Sequence, residues 1–295
     1  MQSLVVIVNA TSGTGCPDGW AAEVESKFAA QGVRATVVAI QSGSEITAAA
    51  QRAADQGAPA VVAAGGDGTV SAVASILAGG RVALGVLPMG TLNHFAKDLS
   101  IPLDLDGAIA TIARGNTQAV DVGEVNGRTF VNNSSLGLYP QIVRDREQRR
   151  KHLGQSKWRA LLEASINAAR RYPVMTVEIE VEGRKVQRRT PFVFIGNSAY
   201  TMEGFSIGER STLSDGLLSL YTTHRTGRFG LLRLAVLALF KRLNQARDFD
   251  AFTATAFTVN THRRRMRVAT DGEIDMMATP LVYRVRPAAL EVYVP

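Results

Sequence analysis

Residues 61–77, VVAAGGDGTVSAVASIL, decide how the chain is read. The opening run is apolar and unbroken, as in a strand buried on both faces. Residues 70–77 predict a helix, with Gly79 as a left-handed stop. Between the two, Gly65, Gly66 and Gly68 surround Asp67 and precede Thr69. Glycines there permit a sharp turn or the close approach of a ligand. The N–H groups at a helix start suit phosphate oxygens. Asp67 can orient a ligand or hold Mg²⁺, and Thr69 can cap the helix or donate to a phosphate. The plain alternative is a strand-to-helix turn with no ligand.

Working outward, strand and helix patterns alternate through the first 120 or so residues. LVVIVNA is a strand, residues 20–31 a helix, VRATVVAI a strand and EITAAAQRAADQG a helix. After the GGDGT helix come the strand VALGVLP and the helix DLDGAIATIARGN. Such alternation predicts a doubly wound parallel α/β sheet, which binds ligands at the carboxyl ends of its strands. NATSG, GGDGT and PMGTLN all fall at that edge. From MTVEIEV onward the runs are short and separated by turn residues, which predicts a mainly antiparallel β-sandwich interrupted by helices near 157–171 and 229–243. The expected division is residues 1–126 as the α/β unit and 127–295 as the β-rich unit, with VNGR as a hairpin turn at the junction.

The 295 residues suffice for two cores. One cysteine, Cys16, excludes a disulfide framework or a cysteine zinc site and fits a reducing, cytoplasmic setting. The first apolar run is too short for a signal peptide. Residues 228–243 carry Arg233 and Lys241 and fall short of a membrane span. The net charge of +7 is uneven: residues 1–126 hold six basic and eleven acidic side chains, the remainder 27 and 15. The basic half could meet anionic lipid or nucleic acid. Its arginine runs lack interleaved aromatics or a nucleic-acid module, so no nucleic acid is expected.

GGDGT followed by GTLNHFA at 90–96 resembles the diacylglycerol kinase catalytic family, which includes bacterial lipid kinases and the sphingosine and ceramide kinases. VNATSG, VDVGEVNGRTFVNNSSLGL (120–138), LSDGLLSL (213–220) and TDGE (270–273) follow in family order. The resemblance implies a kinase that uses ATP and Mg²⁺ to phosphorylate the hydroxyl of diacylglycerol or a related lipid alcohol. It implies nucleotide contacts at Asn9, Thr11, Ser12 and Gly13, at Gly65, Gly66, Asp67, Gly68 and Thr69, and at Thr91 and Asn93. It implies catalytic carboxylates at Asp271 and Glu273, one of which takes or orients the hydroxyl proton. Without the family, DGE reads as an ordinary hairpin turn. The resemblance also implies a structural magnesium site formed by Asp215 with the carbonyls of Thr212 and Leu217, where Asp-Gly alone would read as a turn.

The chain departs from the family pattern in places. Val70, Ser71 and Ala72 stand where an Asn-Glu pair is common, Ala10 replaces a proline, and His94 replaces an acidic residue. These changes bear on nucleotide affinity and substrate. Basic stretches at 144–159, with Trp158, and at 262–267 suit peripheral contact with an anionic membrane surface. An NAD kinase-like enzyme and a catalytically silent nucleotide- or lipid-binding regulator are the alternatives. Monomer and homodimer are both left open.

Overall fold

The computed structural model describes residues 3–10, 17–137, 174–203, 206–210, 212–223 and 249–295. Thr11, Ser12 and Gly13, the basic stretch 144–159 and the two expected helices at 157–171 and 229–243 lie outside the described residues.

The first strand, β1 (Leu4–Asn9), leads to α1 (Trp20–Ala30), β2 (Ala35–Ile40), α2 (Gly43–Asp55), β3 (Ala60–Gly65), α3 (Asp67–Leu77) and β4 (Ala83–Pro88). A short α4 (His94–Asp98), absent from the sequence reading, and α5 (Leu105–Arg114) follow. The four strands pair in parallel in the order β2-β1-β3-β4. Every residue of β3 is buried, which explains its lack of polar alternation. α1 packs with α5 and α2 with α3, as right-handed crossovers require when the chain moves first one way and then the other across a sheet. Lys27 of α1 reaches Asp106 of α5 at 2.5 Å. The helix stops follow local chemistry: Gly79 and Gly115 adopt φ of +83° and +80°, and Asp104 caps α5 by accepting from the Gly107 N–H at 2.8 Å.

The chain then becomes a series of strands: β5 (Thr117–Val125), β6 (Arg128–Phe130), β7 (Asn133–Gly137), β8 (Met175–Val181), β9 (Arg184–Thr190), β10 (Phe192–Asn197), β11 (Tyr200–Glu203) and β12 (Ser206–Arg210). Then come β13 (Leu218–Thr223), β14 (Phe249–Ala254), β15 (Ala256–Thr261), β16 (Arg265–Thr270), β17 (Glu273–Ala278) and β18 (Leu281–Tyr293). The order β14-β13-β10-β7-β16-β17 forms an antiparallel sheet. It faces β15, β8 and β18 across a core of Phe130, Leu136, Ile179, Ile195, Phe257 and Tyr283, among others. This is the expected sandwich.

The two halves are joined by strands rather than by a linker. β18 pairs antiparallel with β15 at its start and with β5 along its length, then parallel with β4 at Val292 and Leu84. A register shift between Arg286 and Leu290 lets one strand serve both neighbourhoods. The sheet that begins as a parallel α/β sheet thus continues into one layer of the sandwich.

Candidate active site

The carboxyl ends of β1, β2, β3 and β4 share one edge, and the loops that leave them build one wall of the site. The GGDGT turn is shaped by contacts that only glycine allows. A Cβ on Gly65 would lie 2.4 Å from Thr69 Oγ1, and a Cβ on Gly90 would lie 2.6 Å from the Gly66 Cα. The GGDGT and PMGT loops therefore meet backbone to backbone. Gly68 is different: a Cβ there would meet nothing within 4 Å, because it faces the open cleft. The Thr69 and Val70 N–H groups bond back to the Gly66 carbonyl at 2.9 and 3.1 Å. The N–H groups of Asp67 and Gly68 precede these bonds and are the outward donors of the helix start.

The remaining residues of these loops hold the wall together. Asp67 Oδ1 accepts from the Phe95 N–H at 3.4 Å, which links α3 to α4. Asn93, in the left-handed region at φ +49°, accepts from the Gly90 N–H and donates to the Gly90 carbonyl, both at 3.0 Å. Its side chain closes the 90–93 loop. Thr69 is buried beneath Gly65 and Thr91 is exposed. Asn9 ends β1 at the same edge.

The opposite wall comes from a chain segment 200 residues away. Asp271 and Gly272 form the tight turn between β16 and β17, at φ +48° and +92°. The Asp271 carboxylate is enclosed. Oδ1 accepts from the Asn132 and Asn133 N–H groups at 2.8 and 2.9 Å. Oδ2 accepts from the Val131 N–H at 2.8 Å and from the Ser71 hydroxyl of α3. In return, the Asp271 N–H donates to the Asn133 carbonyl at 2.8 Å. Three successive backbone N–H groups on one carboxylate make an anion nest. Burial pushes the Asp271 carboxyl up from the ordinary range, while the Ser71 hydroxyl and the three N–H groups pull it back in part.

The nest is itself held by a buried cation. Arg210, on β12, pairs with Asp98 of α4 through Nε at 2.7 Å and Nη2 at 2.6 Å, with both side chains almost fully enclosed. Its Nη1 donates to the Val131 carbonyl at 2.8 Å and to the Asn197 carbonyl at 3.2 Å, and Nη2 to Asn132 Oδ1 at 2.8 Å. The Tyr200 hydroxyl donates to the Asn132 carbonyl at 2.9 Å, and the guanidinium lies 5.2 Å from the Tyr200 ring centroid. The Val131 and Asn132 carbonyls are therefore taken from behind while the N–H groups of the VNN segment point at Asp271.

Between the walls lies a cleft of about 550 Å³. Gly68, Ser71, Arg128, Asp271 and Glu273 line it, together with Ser44 at the start of α2. The tertiary structure thus brings Gly68, Asp271 and Glu273 to one cleft. Glu273 is exposed on its side chain and paired with Arg128. Ser44 and Arg128 were not singled out in the sequence. Ser71 was named there only as a departure from the family pattern, not as a site residue.

The 212–217 turn stands apart from this cleft. Asp215 Oδ1 accepts from the Ser198 hydroxyl at 3.0 Å and from the Leu217 N–H at 3.1 Å. The Gly216 N–H donates to Asp121 Oδ2 at 2.6 Å, and the Leu217 carbonyl accepts from the Ser198 N–H at 3.0 Å. Thr212 bonds within the turn to Ser214. Asp215 Oδ2 takes part in none of these bonds. Asp215 and the Thr212 and Leu217 carbonyls would offer only oxygen donors, the kind that suits Mg²⁺. No group of three or more His, Cys, Asp or Glu suited to a metal occurs among the described residues.

Comparison with known proteins agrees with this architecture. Residues 3–125 match the diacylglycerol kinase catalytic domain, and residues 141–294 match the YegS C-terminal NAD kinase beta sandwich-like domain. A diacylglycerol kinase of Bacillus subtilis is 31% identical over 247 residues, covering 81% of this chain and 79% of the relative. A YegS-like lipid kinase of Cronobacter sakazakii is 35% identical over 176 residues, 57% of each protein. The crystal structure of a diacylglycerol kinase from Bacillus anthracis str. Sterne superposes with a TM-score of 0.71 at 19% identity, covering 100% of this chain and 97% of that one. The chain belongs to the diacylglycerol kinase catalytic-domain family, a family of lipid kinases.

Proposed function

We propose that the protein transfers the γ-phosphoryl group of Mg·ATP to the hydroxyl of diacylglycerol or a related lipid alcohol. One observation carries the reading: a single cleft is lined both by Gly68 of the GGDGT loop and by the Asp271–Glu273 turn. The open space at Gly68 leaves the backbone accessible to phosphate oxygens, and the helix-start N–H groups of Asp67 and Gly68 are the donors that would hold them. Mg²⁺ bound with the nucleotide would neutralise phosphate charge, and Asp67 is the carboxylate nearest the loop suited to help hold it.

Glu273 is the better base. The Asp271 carboxylate already accepts four hydrogen bonds, its full complement. Glu273 keeps an exposed carboxylate in the cleft. The lipid hydroxyl oxygen bonds to the γ-phosphorus as its proton passes to Glu273. The bond from that phosphorus to the β–γ bridging oxygen breaks, and ADP leaves with the electron pair. Asp271 fixes the turn that carries Glu273. Positioning and charge stabilisation supply most of the rate in such transfers.

The remaining assignments rest on the same reading. Residues 1–126 act as the nucleotide unit and 127–295 as the acceptor unit, with Asp215 and the Thr212 and Leu217 carbonyls as a supporting Mg²⁺ site. No helix among the described residues is long and apolar enough to cross a membrane. Arg263, Arg264, Arg265 and Arg267 are exposed and have no acidic partner among the described residues, which supports peripheral docking on an anionic surface from the cytoplasm. The test is transfer of labelled phosphate from Mg·ATP to diacylglycerol, monoacylglycerol, ceramide, sphingosine and NAD in mixed micelles. Transfer to one lipid, lost in Asp67→Ala, is the expected result. Transfer to NAD alone would overturn it.

A further inference from the structure

We infer that Arg128 is the cation that grips the transferred phosphoryl group, and that its release from Glu273 couples arrival of the phosphates to activation of the base. This rests on the kinase reading above. Arg128 begins β6, directly after the Asn126–Gly127 turn, whose residues adopt φ of +47° and +85°. That turn is bolted down. Asn126 Nδ2 donates to the Ala278 carbonyl at 2.9 Å and to the Pro280 carbonyl at 3.3 Å, and its Oδ1 accepts from the Val282 N–H at 2.8 Å. The base of the arginine is therefore fixed against β17 and β18, while its guanidinium enters the cleft.

Among the described residues that line the cleft, Arg128 is the one Lys or Arg side chain. The rest of the lining offers two carboxylates, hydroxyls and glycines. Triphosphate entering between Gly68 and Glu273 brings more negative charge to a site that already holds two acids. A guanidinium there offsets that charge and strengthens as charge develops in the transition state. Without phosphate, Arg128 is claimed from β17: Nη2 by Glu273 Oε2, and Nη1 by Asp275 Oδ2 at 3.0 Å. All three side chains are more than a third exposed, so these pairs are of the weakly held, solvent-screened kind. The guanidinium has five N–H donors, enough to turn towards phosphate oxygens without losing both acids. Once it turns, the Glu273 carboxylate is free to take a proton. While it remains paired, Glu273 Oε2 is taken up by the guanidinium.

The test uses the whole protein with Arg128→Gln and Arg128→Lys. Calorimetric titration with ATP, inorganic triphosphate and adenosine reads binding apart from turnover. The expected result for Arg128→Gln is roughly 10-fold or more weaker binding of ATP and triphosphate, unchanged adenosine binding, and kcat lower by about 10²–10⁴. Arg128→Lys should keep much of the triphosphate affinity but not the rate, because an ammonium is a point charge without the planar fork. Added guanidinium ion should restore part of the turnover of Arg128→Ala. Wild-type triphosphate affinity in Arg128→Gln, with kcat within threefold, would make Arg128 a surface staple and sink the inference while leaving the kinase reading intact. Failure of the wild type itself to bind ATP or triphosphate would bring both down together.

Discussion

Replacing each carboxylate of the β16–β17 turn by its amide should separate a structural acid from a chemical one. In Asp271→Asn the amide oxygen can still accept from the Asn132 and Asn133 N–H groups. These bonds lose their charge assistance, but the neutral amide escapes the burial penalty that raises the Asp271 carboxyl, so the two changes offset each other. The amide nitrogen then faces the Val131 N–H and the Ser71 hydroxyl. The hydroxyl can rotate to accept, but the N–H cannot, and one unmatched buried donor costs about 1–3 kcal/mol. The total is about 1–3 kcal/mol, which for a chain of this size lowers Tm by roughly 2–5 °C. Glu273→Gln breaks only a solvent-exposed pair, worth about 0–1 kcal/mol, so Tm should hold within about 2 °C. Its kcat should nevertheless fall by about 10²–10⁴ with lipid KM unchanged. Differential scanning calorimetry and steady-state phosphate transfer measure the two. The reasoning is refuted if Glu273→Gln turns over at near the wild-type rate, or if Asp271→Asn melts with the wild type.

Three further outcomes follow from the same geometry. Gly90→Ala forces a Cβ to 2.6 Å from the Gly66 Cα; it should part the two phosphate-side loops and raise KM for ATP, and unchanged ATP binding by calorimetry would contradict that. Because the folded Asp271 carboxyl is raised and its ionised form holds the turn that carries Glu273, the acidic limb of the kcat profile should lie above the ordinary aspartate range near 4. Ser71→Ala, which removes a donor to the carboxylate, should move that limb further up. The sign for stability is opposite: the contribution of a raised carboxyl to stability is full below the unfolded pKa and lost as pH rises through the folded one. Wild-type melting temperatures should register that loss over the window in which activity is gained, and a limb at or below the ordinary range would remove the basis for both. Arg210→Met should cost about 3–5 kcal/mol by stranding Asp98 in the interior. Adding Asp98→Leu should recover part of it, and strictly additive losses in the double-mutant cycle would deny the coupling.

Much of the fold is written locally. The unbroken apolar run before GGDGT and the strand–helix alternation state a parallel sheet, because burial on both faces removes polar alternation. The loops at its carboxyl edge follow from the handedness of the crossovers. The alternating MTVEIEV segment states a sheet with one buried face. Even the turn at Asp271–Gly272 is legible as a hairpin. Other features depend on which distant groups meet. Val131, Asn132 and Asn133 look like one more strand residue set until their N–H groups close on a carboxylate about 140 positions away. Ser71 reads as a departure from a motif until it meets that same carboxylate. Arg210 looks like one charge among many until it is seen enclosed with Asp98. Thr69 reads as a donor for phosphate, but the space left by Gly65 buries its side chain. Propensity and hydrophobic period act over a few residues and leave a pattern in the chain. A hydrogen-bond pairing between separate elements leaves none, because any of several polar residues could have supplied the donor. The sequence by itself determined the sheet and its loops, and the family resemblance pointed to two carboxylates. Only the tertiary structure decided that one of those carboxylates is saturated by its own backbone while the other, held by Arg128, still faces the cleft.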